Sequence, residues 1–155
     1  MKSVHQWLDE YGESHQNGTN KVIHWICVPA IFLSITGLLY GIKLPFPVTG
    51  SLPANGAMVM LLLVTVYYCS LSWRLGAGML VFGLLCLSIC YGVEQARFVP
   101  LWLACLVLFA LAWVGQFYGH GVEGKKPSFF RDVQFLLIGP MWIMGFIYRK
   151  LGIPF

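Results

Sequence analysis

The chain has 155 residues, enough for one domain, yet only 10% of them are charged and 58% are hydrophobic, against roughly 25% charge in soluble domains. Together with a mean hydropathy of +0.73, this is the composition of a bilayer protein, read here as a single integral membrane domain over residues 1–155. The net charge of +4 is scattered, with no basic run longer than Lys125-Lys126, which excludes a nucleic-acid footprint and leaves membrane lipids as the surrounding partner.

The N-terminal stretch is polar and lacks the basic region, apolar run and small-residue site of a cleavable signal. Trp7, Leu8, Tyr11 and His15 recur at i, i+1, i+4 and i+8, which predicts an amphipathic helix over 4–16 lying on or near the membrane surface. Asn17-Gly18 ends it. Thr19 or Asn20 is then expected to cap the helix that follows.

A hydrocarbon core about 30 Å thick needs about 20 apolar helical residues. Four segments meet that rule: 22–42, 57–73, 77–93 and 100–118. A Pro/Gly-rich loop follows the first, a tight turn through Arg74 joins the second and third, and a polar step "EQARF" precedes the fourth. A fifth segment, 133–148, is shorter and carries Gly139-Pro140, so it either spans with a kink or enters and leaves on one side. The fold class is therefore all-α, a polytopic membrane helical bundle of four to five membrane helices plus the N-terminal amphipathic helix. Trp25, Tyr40, Trp73, Tyr118, Trp142 and Tyr148 sit at span ends and read as an aromatic belt. The stretches from Gly37 to Gly41 and from Gly76 to Gly83 read as close helix-packing positions, and a homo-oligomer is among the expected partners. The five cysteines, Cys27, Cys69, Cys86, Cys90 and Cys105, all lie in apolar runs and read as packing residues.

With an inner N-terminus and five spans, six Lys/Arg residues fall on the inner face and four on the outer. This favours a cytoplasmic N-terminus, in a bacterial inner membrane or an endoplasmic reticulum membrane. Four crossings separate the start of the first span from the end of the fourth. Those two polar doorways, "YGESHQNGTNKVIH" and "GQFYGHGVEGKKP", therefore share a membrane face, expected to be cytoplasmic.

The first doorway carries His15, Asn20 and His24; the second carries Gln116, His120 and Glu123. A break at Asn17-Gly18 lets the surface helix fold back over the first span, and Gln116 and His120 share a helix face at i, i+4. Three imidazoles and a carboxylate, with Asn20 and Gln116 available for supporting hydrogen bonds, suit Fe(II), zinc or another first-row divalent ion. Ligand type alone does not choose between oxygen chemistry at iron and water activation at zinc. The plainer alternatives are histidines that only hydrogen-bond at the interface, and a Glu123 paired with Lys125, Lys126 or Arg131 in a solvated loop.

Read together as Tyr11-x3-His15-x4-Asn20-x3-His24-x4-Pro29 and Gln116-x2-Gly119-His120-x2-Glu123-x3-Pro127, the two doorways resemble the Mpo1-like family of 2-hydroxy fatty acid dioxygenases. The resemblance implies an Fe(II)-dependent enzyme that uses O2 to shorten 2-hydroxy long-chain fatty acids by one carbon, the fatty acid alpha-oxidation reaction. It also implies that His15, His24 and His120 are iron ligands and that Glu123, Asn20 and Gln116 stand at or near the reacting centre. A 2-hydroxy acid can chelate a metal through its hydroxyl and one carboxylate oxygen while its tail lies among the spans. Cys27 stands where relatives carry a small Gly, so packing just inside the first doorway is expected to differ.

Two readings from other classes remain: a small transporter, against which the apolar middles of the spans argue, and a non-catalytic membrane scaffold with structural histidines. A di-iron desaturase or hydroxylase would need about twice the four histidines present, an expectation that comes from the families it would resemble.

Overall fold

The computed structural model describes residues 3–13, 15–49, 52–124 and 129–155, with side chains excepted at 49, 52 and 129–135. The described elements run α1 (Val4–Glu13), α2 (Gly18–Tyr40), β1 (Lys43–Thr49), β2 (Leu52–Asn55), α3 (Gly56–Leu71), α4 (Trp73–Ala96), α5 (Leu101–Glu123) and α6 (Phe129–Lys150). The fold is all-α apart from one two-stranded hairpin. Among the described residues, three helices, α2, α4 and α5, are long and apolar enough to cross a membrane at 23, 24 and 23 residues, and α3 is a shorter apolar helix.

The helices pack through small residues. A side-chain carbon added to Gly119 would meet Asn20 Oδ1 at 2.5 Å, one on Gly115 would meet Cys27 Sγ at 2.6 Å, and one on Gly37 would collide with Cys105 Sγ. As the α2 residue number rises the α5 number falls, so α2 and α5 run antiparallel along their length. Cys27, expected to alter packing just inside the first doorway, is the residue whose sulfur fills the space over Gly115. Likewise Gly76 lies against Cys69 and Gly83 against Leu61, which makes α3 and α4 an antiparallel hairpin. Its turn falls at Ser72 rather than Arg74: Ser72 ends α3, and its hydroxyl accepts from Leu75 N–H to open α4.

The fifth apolar segment is one continuous helix, α6, with Pro140 inside it. It contains no chain reversal, so the reading in which it enters and leaves on one side is corrected. Ile138, Met141, Trp142 and Ile143 of α6 are buried in the main core with Val28 and Phe32 of α2, Tyr68 of α3 and Leu75 and Met79 of α4. The apolar face of α1 joins the same core through Val4, Leu8 and Tyr11. Its apolar stripe is therefore covered by protein. Gly139 makes this possible, because a side chain there would stand 2.9 Å from the Tyr11 hydroxyl.

The helix α2 is capped by Asn17, not by Thr19 or Asn20: Asn17 adopts an extended backbone and its side-chain oxygen accepts from Thr19 and Asn20 N–H. Capping from Asn17 satisfies free first-turn donors. It also places Asn20 inside the helix, where it is fully buried. The Pro/Gly-rich segment after α2 is not plain loop but an antiparallel hairpin with register shifts around Pro47. Lys43 pins that hairpin to α4 by a 3.0 Å ion pair with Glu94 and stands 3.9 Å above the Tyr40 ring. The expected aromatic belt is divided: Trp73 and Tyr118 are exposed, while Tyr40 and Trp142 are buried core residues.

Candidate metal centre

The two doorways meet. His15 follows α1, His24 lies in the second turn of α2, and His120 lies in the last turn of α5. Their ring centroids are separated by 4.1 Å (His15–His24), 5.0 Å (His24–His120) and 5.8 Å (His15–His120). One ring nitrogen from each falls within 4.8 Å of those from the other two. Ligands about 2.1 Å from a shared ion stand roughly 3–4 Å apart, so a cation would draw these donors together by about an ångström.

Hydrogen bonding decides which nitrogens are available. His15 Nδ1 lies 2.6 Å from the Tyr11 carbonyl and His24 Nδ1 lies 3.0 Å from the Asn20 carbonyl. A carbonyl only accepts, so each Nδ1 carries the proton and each Nε2 presents a lone pair. His15 is 3% exposed, and its Nε2 is buried without a hydrogen-bond partner among the described residues. Such a group is costly unless something else satisfies it. Burial holds the His15 imidazole below its ordinary value of 6.5, opposed by the Tyr11 carbonyl and reinforced by His120. A neutral, oriented imidazole is the form a metal requires. The residues present therefore fit a divalent cation.

The surroundings fix the rings. Tyr11 stacks on His15 with centroids 4.3 Å apart and planes at 12°, and Trp142 packs beside both rings. The buried Gln116 side chain is within hydrogen-bonding reach of the His24 ring. Glu123 lies outside the nitrogen cluster. Its carboxylate accepts from Gln16 N–H at 2.8 Å, from Asn17 N–H at 3.0 and 3.2 Å, and from the Asn20 side-chain amide at 3.0 Å. It thus ties the end of α5 to the start of α2, where an anion is also favoured by the exposed N–H groups of the helix. Its alternative partners Lys125, Lys126 and the Arg131 side chain lie outside the described residues. The fourth histidine, His5, stacks on Phe155.

The sequence placed Tyr11 on the first helix and in the motif and Trp142 in the aromatic belt, and gave neither a role beside the histidines. The stacking of Tyr11 has a local signal in its i, i+4 spacing to His15. Trp142 has none, because it arrives from α6.

A helical membrane-type bundle closed around a three-histidine cluster, two of its members buried and His120 partly so, has a counterpart among known proteins. The chain belongs to the Mpo1-like family, whose profile, described as 2-hydroxy-palmitic acid dioxygenase Mpo1-like, matches residues 1–151. It is 34% identical over 147 residues to the 2-hydroxy-palmitic acid dioxygenase Mpo1 of Saccharomyces cerevisiae, covering 94% of this chain and 79% of the yeast protein. No solved structure matches it.

Proposed function

We propose that the protein is an Fe(II)-dependent dioxygenase of the membrane that uses O2 to shorten 2-hydroxy long-chain fatty acids by one carbon. The observation that carries this reading is the cluster of three histidines with one ring nitrogen from each within 4.8 Å of the others, where His15 also has a buried Nε2 without a hydrogen-bond partner among the described residues. Support for the substrate comes from the family and from the yeast relative's name.

His15, His24 and His120 would hold the iron, as three neutral imidazole donors. Iron bound there would supply affinity for O2 and for the chelating hydroxyl and carboxylate of a 2-hydroxy acid. The protein's own residues do the rest. The Tyr11 and Asn20 carbonyls hold the protons on Nδ1 of His15 and His24, so that both rings keep their donor atoms turned away from the backbone. Tyr11 and Trp142 pack around His15 and exclude water from that side. Glu123 positions the two doorways, and the buried Gln116 side chain stands beside the His24 ring. With three protein ligands, iron held there would have room for substrate and O2, and the chemistry it would supply is oxidative cleavage between C1 and C2.

The same reading makes the protein multi-pass, with α2 to α5 crossing the bilayer and the histidine cluster near its cytoplasmic face. The helix bounds put His24 about 9 Å inside the start of α2 at 1.5 Å per residue, which suits a substrate whose head is polar and whose tail is in the membrane.

The test is metal content of anaerobically purified protein, then oxygen uptake with a 2-hydroxy long-chain acid. Near-stoichiometric iron, substrate-dependent oxygen consumption and a product one carbon shorter are expected. Zinc in its place, or no metal after iron reconstitution, would defeat the proposal.

A further inference from the structure

Beside the histidine cluster, between α2 and α6, runs an apolar groove of about 570 Å³ lined by Lys21, Val22, Trp25, Ile26, Trp142 and Phe146. Small-molecule sites occupy roughly 300–1,000 Å³, so it has room for one extended chain. Its walls follow from helix spacing: Lys21 with Trp25, Val22 with Ile26, and Trp142 with Phe146 are all i, i+4 pairs. Trp25 and Phe146 meet edge to face at 5.1 Å across the two helices. Trp142 has a double position, since it lines the groove and also packs 5.7 Å from the His15 ring.

We infer that this groove receives the acyl chain of the substrate, with the Lys21 ammonium pairing with its carboxylate beside the histidines. The inference rests on the dioxygenase reading and adds to it the residues that select the substrate. Charge complementarity favours a single-chain acid over a bilayer lipid: the lining offers one cation, at the doorway end, and is otherwise apolar. Ile26 lies five residues beyond Lys21, about 7.5 Å further along α2, so head and tail run from the doorway into the apolar part of the helix. Val22, Ile26 and Phe146 are 61%, 67% and 44% exposed, which opens the groove sideways for entry from the membrane. Lys21 is also close enough to His15 for its charge to oppose protonation of that ring.

Two measurements on the full-length protein in lipid nanodiscs decide it. The first is kinetic. Ile26→Trp fills the groove at an exposed position and is expected to raise KM for long-chain 2-hydroxy acids about 10-fold with kcat retained, and to shift preference toward shorter chains. Lys21→Ala is expected to raise KM about 10-fold at every chain length, with Lys21→Arg restoring it. The second does not require turnover: a 2-hydroxy acid brominated in mid-chain should quench tryptophan fluorescence saturably, with less quenching in Trp25→Phe.

Unchanged KM and chain-length profile in both Ile26→Trp and Lys21→Ala would overturn the groove while leaving the dioxygenase standing. Saturable Trp25-dependent quenching in a protein that oxidises no 2-hydroxy acid would do the reverse. Equal quenching by a brominated phospholipid would assign the groove to bilayer lipid and overturn the proposal.

Discussion

The Glu123 carboxylate accepts a 3.0 Å hydrogen bond from the side-chain amide of Asn20, 103 residues earlier in the chain. Through it and the N–H groups of Gln16 and Asn17, the end of α5 is fastened to the start of α2. His24 and His120 lie within one turn of this junction. We therefore expect Glu123→Ala to weaken metal binding about 10–100-fold, the usual effect of losing a group that orients ligands, with helix content by circular dichroism unchanged. Glu123→Gln, which keeps an acceptor oxygen, should retain more metal than Glu123→Ala. Equal metal affinity in Glu123→Ala and wild type would show that the junction does not orient the ligands.

Replacing any one of His15, His24 and His120 by Ala should remove most bound iron and lower turnover by at least about 100-fold. Folded protein is confirmed by its thermal transition. His5→Ala is the matched control, because His5 packs on Phe155 away from the cluster, and it should retain wild-type iron.

Acid should destabilise the metal-free protein. Burial lowers the His15 pKa from 6.5, so below about pH 6.5 the unfolded chain takes up a proton that the folded state resists. The unfolded state then binds more protons, and stability falls as pH falls. The thermal midpoint of metal-free protein should thus drop between about pH 7 and 5.5, and this dependence should flatten in His15→Gln. A midpoint that rises on acidification in this window would contradict the buried neutral imidazole.

Two glycines on α5 should respond oppositely to alanine. At Gly119 the added carbon would stand 2.5 Å from Asn20 Oδ1 and 3.3 Å from Ile23, whereas at Gly121 it would meet nothing within 4 Å. Gly119→Ala should cost about 1–3 kcal/mol through overpacking and release iron as α5 is pushed from α2. Gly121→Ala should be neutral or stabilising by up to about 1 kcal/mol, since alanine is the better helix former. Thermal transitions and iron content of the two variants check both expectations.

The apolar runs were legible because a bilayer helix needs about 20 apolar residues in a row, a signal contained within each segment. The doorways meet through the antiparallel packing of α2 on α5, which agrees with the expectation of four crossings between them and does not itself count those crossings. Capping was misassigned to Thr19 or Asn20 because several polar residues stand at the helix start and any of them can accept. Asn17 prevails through its extended backbone.

What the sequence determined by itself is the all-helical apolar architecture and the identity of the three imidazoles, since composition, span length and residue type are local properties. The tertiary structure alone decided that α1 packs on α6, that Glu123 bonds to the first doorway and that Trp142 stands between His15 and the groove. Each of these depends on where helices distant in sequence come to rest. In α6, the apolar face and the close approach allowed at Gly139 draw Tyr11 and Trp142 into one core, a partnership that no spacing within either segment encodes.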